Sequence, residues 1–259
     1  MLTTLADYRL IANSLDASLE RIAGQPDVKR EADHYLSRIE NIGTIDAFLA
    51  DDRVYRFAMQ ASGLDDMIYA KAFMRKVLEE GVESPDSFAN QLADTRFRDF
   101  ARRFNFHSYG ATATTFTRAR QGVVDDYLRL RLEKQAGESN EGVRLALYFQ
   151  RKAGTIHSGY DILADRALLK VAETILGYPL SRGNIDHNAR LVEKTLDLPH
   201  LGQPGALDRL LSRFATMWEM NGASASPAFA PNALITGSFG IGMDQNILLT
   251  LQNLRISGG

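Results

Sequence analysis

One short pattern recurs three times in the chain and constrains its fold more than any other feature. The copies cover residues 49–58, 92–101 and 163–172, and each begins with the string Leu-Ala-Asp. In every copy apolar residues follow three and six positions after the Asp, and an Ala follows seven positions after it. An Asp at a helix start can accept hydrogen bonds from free backbone N–H groups, and this apolar spacing gives one buried stripe. The pattern predicts three amphipathic helices, whose N-cap residues are Asp51, Asp94 and Asp165.

The intervals between the copies argue against a regular solenoid. Successive Asp residues of the pattern are 43 and 71 positions apart, whereas a solenoid repeats at one fixed period. We therefore expect a helical array with an irregular insertion between the second and third copies. Capped amphipathic helices have a purely architectural interpretation, so the repeat predicts a fold and assigns no functional site.

Helical spacing of apolar residues extends well beyond the repeat. It runs from residue 28 to about residue 221, and the alternation typical of strands is weak throughout. We predict an all-α fold, a multi-helix array of about eight to ten helices. One domain is expected over residues 1–222, because no linker rich in Pro, Gly or Ser interrupts it. Residues 137–142 are the best alternative boundary.

The last part of the chain, residues 223–259, departs from this pattern. It begins rich in Gly, Ala, Ser and Pro and has no sustained period, which is typical of a loop or an extended tail. A short terminal helix fits its end, and four apolar residues would share one face of that helix: Ile247, Leu248, Leu251 and Leu254. This face can either bind a protein partner or fold back onto its own domain, and the sequence leaves both alternatives open.

Composition excludes several kinds of chemistry. The 259 residues include no Cys, which excludes disulfides, Cys-ligated zinc, iron–sulfur clusters and thiol nucleophiles within the chain. No two of the five His residues have the spacing of a metal-binding pair, and the common metal, phosphate, dinucleotide and nucleophile-elbow motifs do not occur. We expect no metal and no cofactor. A formal net charge of -2 gives no global attraction to nucleic acid, so no nucleic-acid partner is expected.

Targeting signals are not visible in the sequence. Charged residues interrupt the N-terminal segment, which therefore lacks the apolar run of a cleaved secretory signal. The longest apolar stretch, residues 227–243, is too short and too polar to cross a bilayer. We expect a soluble protein without membrane insertion, located in the cytoplasm unless it is exported without cleavage.

Two clusters of polar residues could supply an acid–base pair. His157 lies four positions before Asp161, and Asp186 lies directly before His187. Such groups support general acid–base catalysis where a cleft brings them to a substrate. Both clusters fit helix connections equally well, and Asp186 fits an N-cap. A helical hydrolase that uses His157, Asp161 or Asp186 is an alternative function, and it requires a deep pocket in which two of these groups converge.

Part of the chain is similar to a known family. The matching text covers residues 26–81 and 87–106, and its most specific part joins FLADDRVYRFAM to GLDDMIYAKAFMRKVLEEG. This text resembles a family of alphaproteobacterial proteins of unknown function whose genes lie among flagellar and motility genes. The resemblance implies a flagellum-linked, non-enzymatic role, and it carries no catalytic or binding residues to this sequence.

The leading hypothesis is a non-catalytic interaction or structural protein of the flagellar system, in the cytoplasm or associated with the flagellum. Its partner would be a flagellar protein, bound through a helical surface, through the C-terminal tail, or through both. A cytoplasmic regulator or export chaperone for a flagellar subunit is one alternative, and the helical hydrolase is another.

Overall fold

A computed structural model describes residues 3–181 and 183–224, and over these residues the chain is built from helices without strands. Its fifteen α-helices are α1 (Thr4–Asn13), α2 (Leu15–Ala23), α3 (Pro26–Ile39), α4 (Ile45–Ala50), α5 (Asp52–Ala61), α6 (Lys71–Glu80), α7 (Phe88–Gln91), α8 (Thr95–Phe104), α9 (Phe106–Tyr109), α10 (Gln121–Ser139), α11 (Glu141–Lys152), α12 (Gly159–Ala164), α13 (Arg166–Leu176), α14 (Ile185–Leu196) and α15 (Ala206–Ser224). Short 3-10 helices stand at Asp65–Met67, Gly110–Thr112, Thr117–Ala119, Ala153–Thr155 and Leu198–His200. The predicted all-α class is confirmed.

The predicted number of helices is too low. The additional elements are mainly short helices of four to six residues, namely α4, α7, α9 and α12. A helix of one turn shows too few apolar positions to reveal a period, so sequence periodicity cannot resolve it. Two longer helices, α1 and α2, precede residue 28, where the clear helical spacing begins.

The chain divides into two compact units, residues 1–218 and 219–259. The predicted boundary lay four residues later, after residue 222. Of the second unit, the structure describes only residues 219–224, which end helix α15. The predicted partner-binding residues lie outside the described residues: Ile247, Leu248, Leu251 and Leu254.

Two hydrophobic cores lie within residues 1–218. The first core is formed by buried side chains between residues 22 and 132, and a stack of three aromatic rings runs through it. Phe57 lies between the other two, with ring-centroid distances of 4.7 Å to Tyr35 and 4.2 Å to Tyr127. The second core is formed by Tyr8 and by buried side chains between residues 143 and 214.

Helices α10 and α11 form a hairpin that joins the two cores. The buried apolar side chains of α10 belong to the first core, and those of α11 belong to the second. At the turn, Asn140 caps α11 by accepting a hydrogen bond from the Gly142 N–H at 2.9 Å. The alternative boundary at residues 137–142 is therefore a helix junction inside the first unit, where α10 packs against α11.

The three repeat copies form matching helix starts. Asp51 accepts from the Val54 N–H at 3.2 Å, and Asp94 accepts from the Arg96 N–H at 3.0 Å. Asp165 accepts from the backbone N–H groups of two residues in the first turn of α13. The apolar positions that follow each Asp are buried: Val54, Phe57 and Ala58; Phe97, Phe100 and Ala101; Leu168, Val171 and Ala172.

The repeat unit is longer than the sequence pattern suggests. A short helix precedes each Asp, and a hydroxyl residue occupies the N-cap position of that helix, seven positions before the Asp: Thr44, Ser87 and Ser158. The unit is therefore a short helix, a capping Asp and a longer amphipathic helix. The first two units contribute to the first core, and the third contributes to the second core.

Candidate functional site

The junction of α12 with α14 contains the residues proposed for acid–base chemistry. Asp161 lies in the first turn of α12, and its Oδ2 accepts hydrogen bonds from the backbone N–H groups of His157 at 2.9 Å and Ser158 at 3.0 Å. With Ser158 it forms a capping box, in which the backbone N–H groups of Ser158 and Asp161 each find a side-chain acceptor. The His157 side chain is exposed. The carboxylate of Asp161 therefore holds the helix start in place.

Asp186 has a different partner at the same junction. Its Oδ1 accepts a hydrogen bond from the hydroxyl of Tyr160 at 2.9 Å, and this bond raises the pKa of that phenol. Asp186 lies in the first turn of α14, where Asn184 is the N-cap. The predicted N-cap role of Asp186 is therefore wrong by two residues, because the Asn184 side chain already accepts from the His187 N–H at 3.0 Å.

Close packing fixes how α12 crosses α14. A Cβ atom added to Gly159 would lie 2.2 Å from the carbonyl oxygen of Ala189, so only glycine fits at this crossing. The Gly159 N–H donates to the Glu193 carboxylate at 2.8 Å, which caps α12 from the neighbouring helix. The polar groups of this junction are thus used to position two helices.

The best-defined surface hollows of the described residues do not include this junction. Two surface hollows stand out in the part of the chain that the structure describes, and neither is lined by His157, Asp161 or Asp186. Within the same residues no group of three or more His, Asp or Glu side chains is arranged to hold a metal ion.

A buried ionic cluster that the sequence does not predict lies between α10 and α11. Glu133, only 3% exposed, accepts hydrogen bonds from Arg129 at 3.3 Å and from Arg151 at 2.7 Å and 2.9 Å. Arg129 also donates to the carbonyl oxygen of Leu147 and the side chain of Gln150. The only signal in the sequence was the spacing of four between Arg129 and Glu133 on one helix.

Electrostatics support a structural role for this cluster. Burial, the largest single influence, lowers the pKa of Arg151, but the hydrogen bonds and charge attraction to Glu133, together with smaller contributions from Tyr148 and Asp126, leave the pKa above the ordinary value. The Arg151 guanidinium lies 4.9 Å from the ring centroid of Tyr148, whose hydroxyl donates to Asp165. Burial and the nearby Asp165 carboxylate raise the pKa of Tyr148. The cluster thereby connects the α10–α11 hairpin to the cap of α13.

The larger of the two hollows lies between the end of α14 and helix α15, and its volume is about 200 Å³. Two arginines one helical turn apart, Arg209 and Arg213, line one side of it. Asp197 lies on its rim with a left-handed backbone at φ 52°, and its carboxylate contacts Nδ1 of His200 at 2.7 Å. The smaller hollow, of about 90 Å³, lies between the α2–α3 turn and α10.

Comparison with known proteins identifies the family. The family described as "Protein of unknown function (DUF1217)" matches residues 61–207, which is more than half of the chain. The chain belongs to the DUF1217 family. It is also similar to the crystal structure of protein AGR_C_984 from Agrobacterium tumefaciens, with 45% identity, coverage of 85% of this chain and 97% of that chain, and a TM-score of 0.79. No curated protein matches the chain.

The family result confirms the coarser part of the predicted resemblance. DUF1217 is a family of unknown function, and Agrobacterium, the source of the similar structure, is an alphaproteobacterium. Among residues 3–181 and 183–224 of this DUF1217 protein, no helix is both long enough and apolar enough to cross a membrane.

Proposed function

We propose that this chain is a non-catalytic, protein-binding component of the flagellar system. One observation carries the non-catalytic part: the carboxylates at the helix junction are engaged in helix positioning. Asp161 accepts two backbone N–H groups, and Asp186 accepts the Tyr160 hydroxyl. A carboxylate held in this way stabilises a helix start and is poorly placed to exchange protons with a substrate.

Protein binding is the function that a fixed helical scaffold supports best. Helices whose starts are capped and whose crossings are closely packed present surfaces that change little on association. A preorganised surface loses little conformational entropy when it binds, which favours affinity. The flagellar part of the proposal rests on the similarity of residues 26–106 to proteins encoded among flagellar and motility genes.

Affinity purification of the tagged full chain from motile cells, together with a gene deletion, tests the proposal. We expect a flagellar protein to copurify with the chain, and we expect the deletion strain to swim poorly. Recovery of no flagellar protein, together with normal swimming of the deletion strain, would refute the flagellar role.

Cell fractionation separates a built-in component from a regulator or an export chaperone. A structural component should cofractionate with the flagellar basal body at fixed stoichiometry. A regulator or chaperone should stay in the cytoplasm and bind one flagellar subunit. A chain that lacks residues 244–259 tests whether the tail with Ile247, Leu248, Leu251 and Leu254 binds the partner.

Two conservative variants test the non-catalytic part. His157→Ala and Asp186→Asn leave the caps formed by Asp161 and Asn184 in place, so both variants should fold and should complement the deletion strain. Loss of swimming in both variants, with normal protein levels and normal copurification of the partner, would favour catalysis at this junction.

A further inference from the structure

The hollow between α14 and α15 combines an apolar floor with a cationic side. Leu196, Leu201 and Leu210 contribute the floor and belong to the second core. Arg209 and Arg213 stand on the same face of α15 and are exposed. Guanidinium groups one turn apart are suited to hold a carboxylate, because each can donate two parallel hydrogen bonds.

These two arginines lack the ion pairs that other arginines of the chain form. Among the described residues of 153–218, no Lys or Arg side chain lies within 4.0 Å of a carboxylate. In the rest of the described chain most arginines have such a partner, as Arg53 does with Glu31 and Arg131 does with Asp27. The two cations that line the hollow therefore form no ion pair with a described carboxylate, although Asp197 also belongs to its lining.

The acidic side chains of the same region are already engaged. They accept backbone N–H groups, as Glu173 does from Leu180 at 2.9 Å and Glu193 does from Gly159 at 2.8 Å. Asp197, on the rim of the hollow, contacts His200, and Asp208 pairs with Arg9 at 3.2 Å. No carboxylate of residues 3–181 and 183–224 therefore lies within 4.0 Å of either arginine of the hollow, and a partner can supply one.

The size of the hollow selects the kind of occupant. Its volume of about 200 Å³ is below the roughly 300–1,000 Å³ of small-molecule sites. A space of this size accommodates one or two side chains of a larger partner. An apolar floor beside two cations favours an acidic residue that is flanked by an apolar one.

We propose that the Arg209–Arg213 hollow is a docking site for an acidic, apolar-flanked segment of a protein partner. The inference rests on the proposed protein-binding function and names the chemistry that the partner contributes. The carboxylate lies between the two guanidinium groups, and the neighbouring apolar side chain covers Leu201 and Leu210.

Nuclear magnetic resonance of the full ¹⁵N-labelled chain tests the docking site with a defined probe. The probe is the blocked peptide Ala-Leu-Glu-Leu-Leu-Glu-Ala, and its twin carries Gln at both Glu positions. We expect saturable shifts of the amides of Thr195, Leu201 and Arg209 with the acidic peptide. The twin should bind about tenfold more weakly, because neutral hydrogen bonds replace charge-assisted ones.

Matched variants assign the effect to the hollow. The double variant Arg209→Ala/Arg213→Ala should bind the acidic peptide about tenfold more weakly than the native chain. Arg166→Ala/Lys170→Ala removes two exposed cations of the same spacing on α13 and should bind like the native chain. Because Arg213 also donates to the carbonyl oxygen of Ile175 at 3.4 Å, the single variant Arg209→Ala serves as a second test if the double variant unfolds.

Three results would overturn the proposal. The first is equal binding of the acidic peptide and its Gln twin, and the second is a set of shifts confined to amides outside the hollow. The third is that inorganic phosphate at the same concentration reproduces the shifts and displaces the peptide, which would make the hollow a site for free anions.

The purification experiment separates this inference from the proposed function. If the Arg209→Ala/Arg213→Ala chain still recovers the flagellar partner at native yield, the docking site is wrong and the function stands. If the native chain recovers no flagellar partner while the acidic peptide binds in the hollow, the flagellar function fails and the docking site stands.

Discussion

Two buried tyrosines of the first core differ in whether their hydroxyl has a partner. Tyr35 donates to the carbonyl oxygen of Ala119 at 2.6 Å, whereas the Tyr55 hydroxyl is buried without a hydrogen bond. An unsatisfied buried hydroxyl costs about 1–3 kcal/mol. We expect Tyr55→Phe to leave the free energy of unfolding unchanged or to raise it by up to about 1 kcal/mol, while Tyr35→Phe lowers it by about 1 kcal/mol. Urea denaturation measures the unfolding free energy of both variants. A larger loss for Tyr55→Phe than for Tyr35→Phe would mean that the Tyr55 hydroxyl has a hydrogen-bond partner.

Gly159 and Gly154 lie in neighbouring segments, and we expect substitution by Ala to destabilise the protein strongly at the first and hardly at all at the second. In Gly159→Ala the new methyl group meets the backbone of Ala189, which is 2.2 Å away at the carbonyl oxygen and 2.8 Å at Cα. Backbone cannot move aside as a side chain can, so we expect a loss of about 3 kcal/mol or more in unfolding free energy. Gly154→Ala has no atom within 4 Å of the new Cβ and should change stability by less than about 0.5 kcal/mol. Thermal denaturation of the two variants is the measurement, and equal melting temperatures would mean that α12 and α14 lie further apart.

At the scale of elements, the three repeat caps are similar in sequence but differ in their contacts. Asp165 accepts two backbone N–H groups and the Tyr148 hydroxyl. Asp51 accepts one backbone N–H group and the exposed guanidinium of Arg38, and an exposed ion pair of this kind contributes little to stability. We expect Asp165→Ala to lower the unfolding free energy by about 2 kcal/mol and Asp51→Ala by about 1 kcal/mol. Asp165→Ser should recover most of the cap, because Ser is a good N-cap residue, but not the hydrogen bond to Tyr148. Chemical denaturation measures these unfolding free energies, and a larger loss for Asp51→Ala than for Asp165→Ala would contradict the ranking.

Long helices could be predicted from the sequence because apolar periodicity and caps agree in them. The repeat helices α5, α8 and α13 begin where their capping Asp residues indicate. A capping residue alone is less informative. Asp65 resembles an N-cap, yet residues 65–67 form a 3-10 helix and α6 begins only at Lys71. No side chain caps that start, and the Lys71 ammonium donates to the carbonyl oxygen of Leu49, 22 positions earlier, at 2.8 Å.

The partners of the candidate site residues could not be predicted, because contacts between segments distant in sequence determine them. The sequence shows His157 and Asp161 four positions apart, but whether the Asp binds a substrate or the backbone is decided by local geometry. The Arg151–Glu133 pair joins two helices, and Arg213 lines the hollow only because α15 packs beside the end of α14. Periodicity reports which face of one helix is buried and contains no information on which helix it meets.

At the scale of the whole molecule, buried phenols predict a loss of stability in alkali. Burial and the nearby Asp208 carboxylate raise the pKa of Tyr8 to about 12, and burial raises the pKa of Tyr55 to about 12, from an ordinary value of 10.0. A raised pKa means that these contributions to stability are complete below pH 10 and are lost as the pH rises from 10 through about 12. Unfolding free energies measured between pH 8 and 12 should fall more steeply in the native chain than in Tyr8→Phe. Identical slopes would show that Tyr8 ionises as it does in the unfolded chain.

We expect the ionic cluster at the α10–α11 hairpin to couple the two cores. Among the described residues Glu133 is the one carboxylate that contacts both Arg129 and Arg151, so its removal leaves a buried and a partly buried guanidinium group without this counter-charge. Breaking a buried ion pair by removing one partner costs about 3–5 kcal/mol, whereas replacing all members by apolar residues is often neutral or stabilising. The cluster is therefore expected to be more important for the alignment of the hairpin than for its net stability.

Glu133→Ala should accordingly be among the most destabilising single substitutions, with a loss of about 3–5 kcal/mol in unfolding free energy. Because α10 belongs to the first core and α11 to the second, we also expect its unfolding curve to broaden or to separate into two transitions. The triple variant Arg129→Met/Glu133→Leu/Arg151→Met should return to within about 1 kcal/mol of the native chain and regain one cooperative transition. Urea denaturation followed by circular dichroism and by the fluorescence of Trp218, the single tryptophan, which packs against the second core, measures both effects. A nearly neutral Glu133→Ala would mean that water reaches the two arginines, and the cluster would then not couple the two cores.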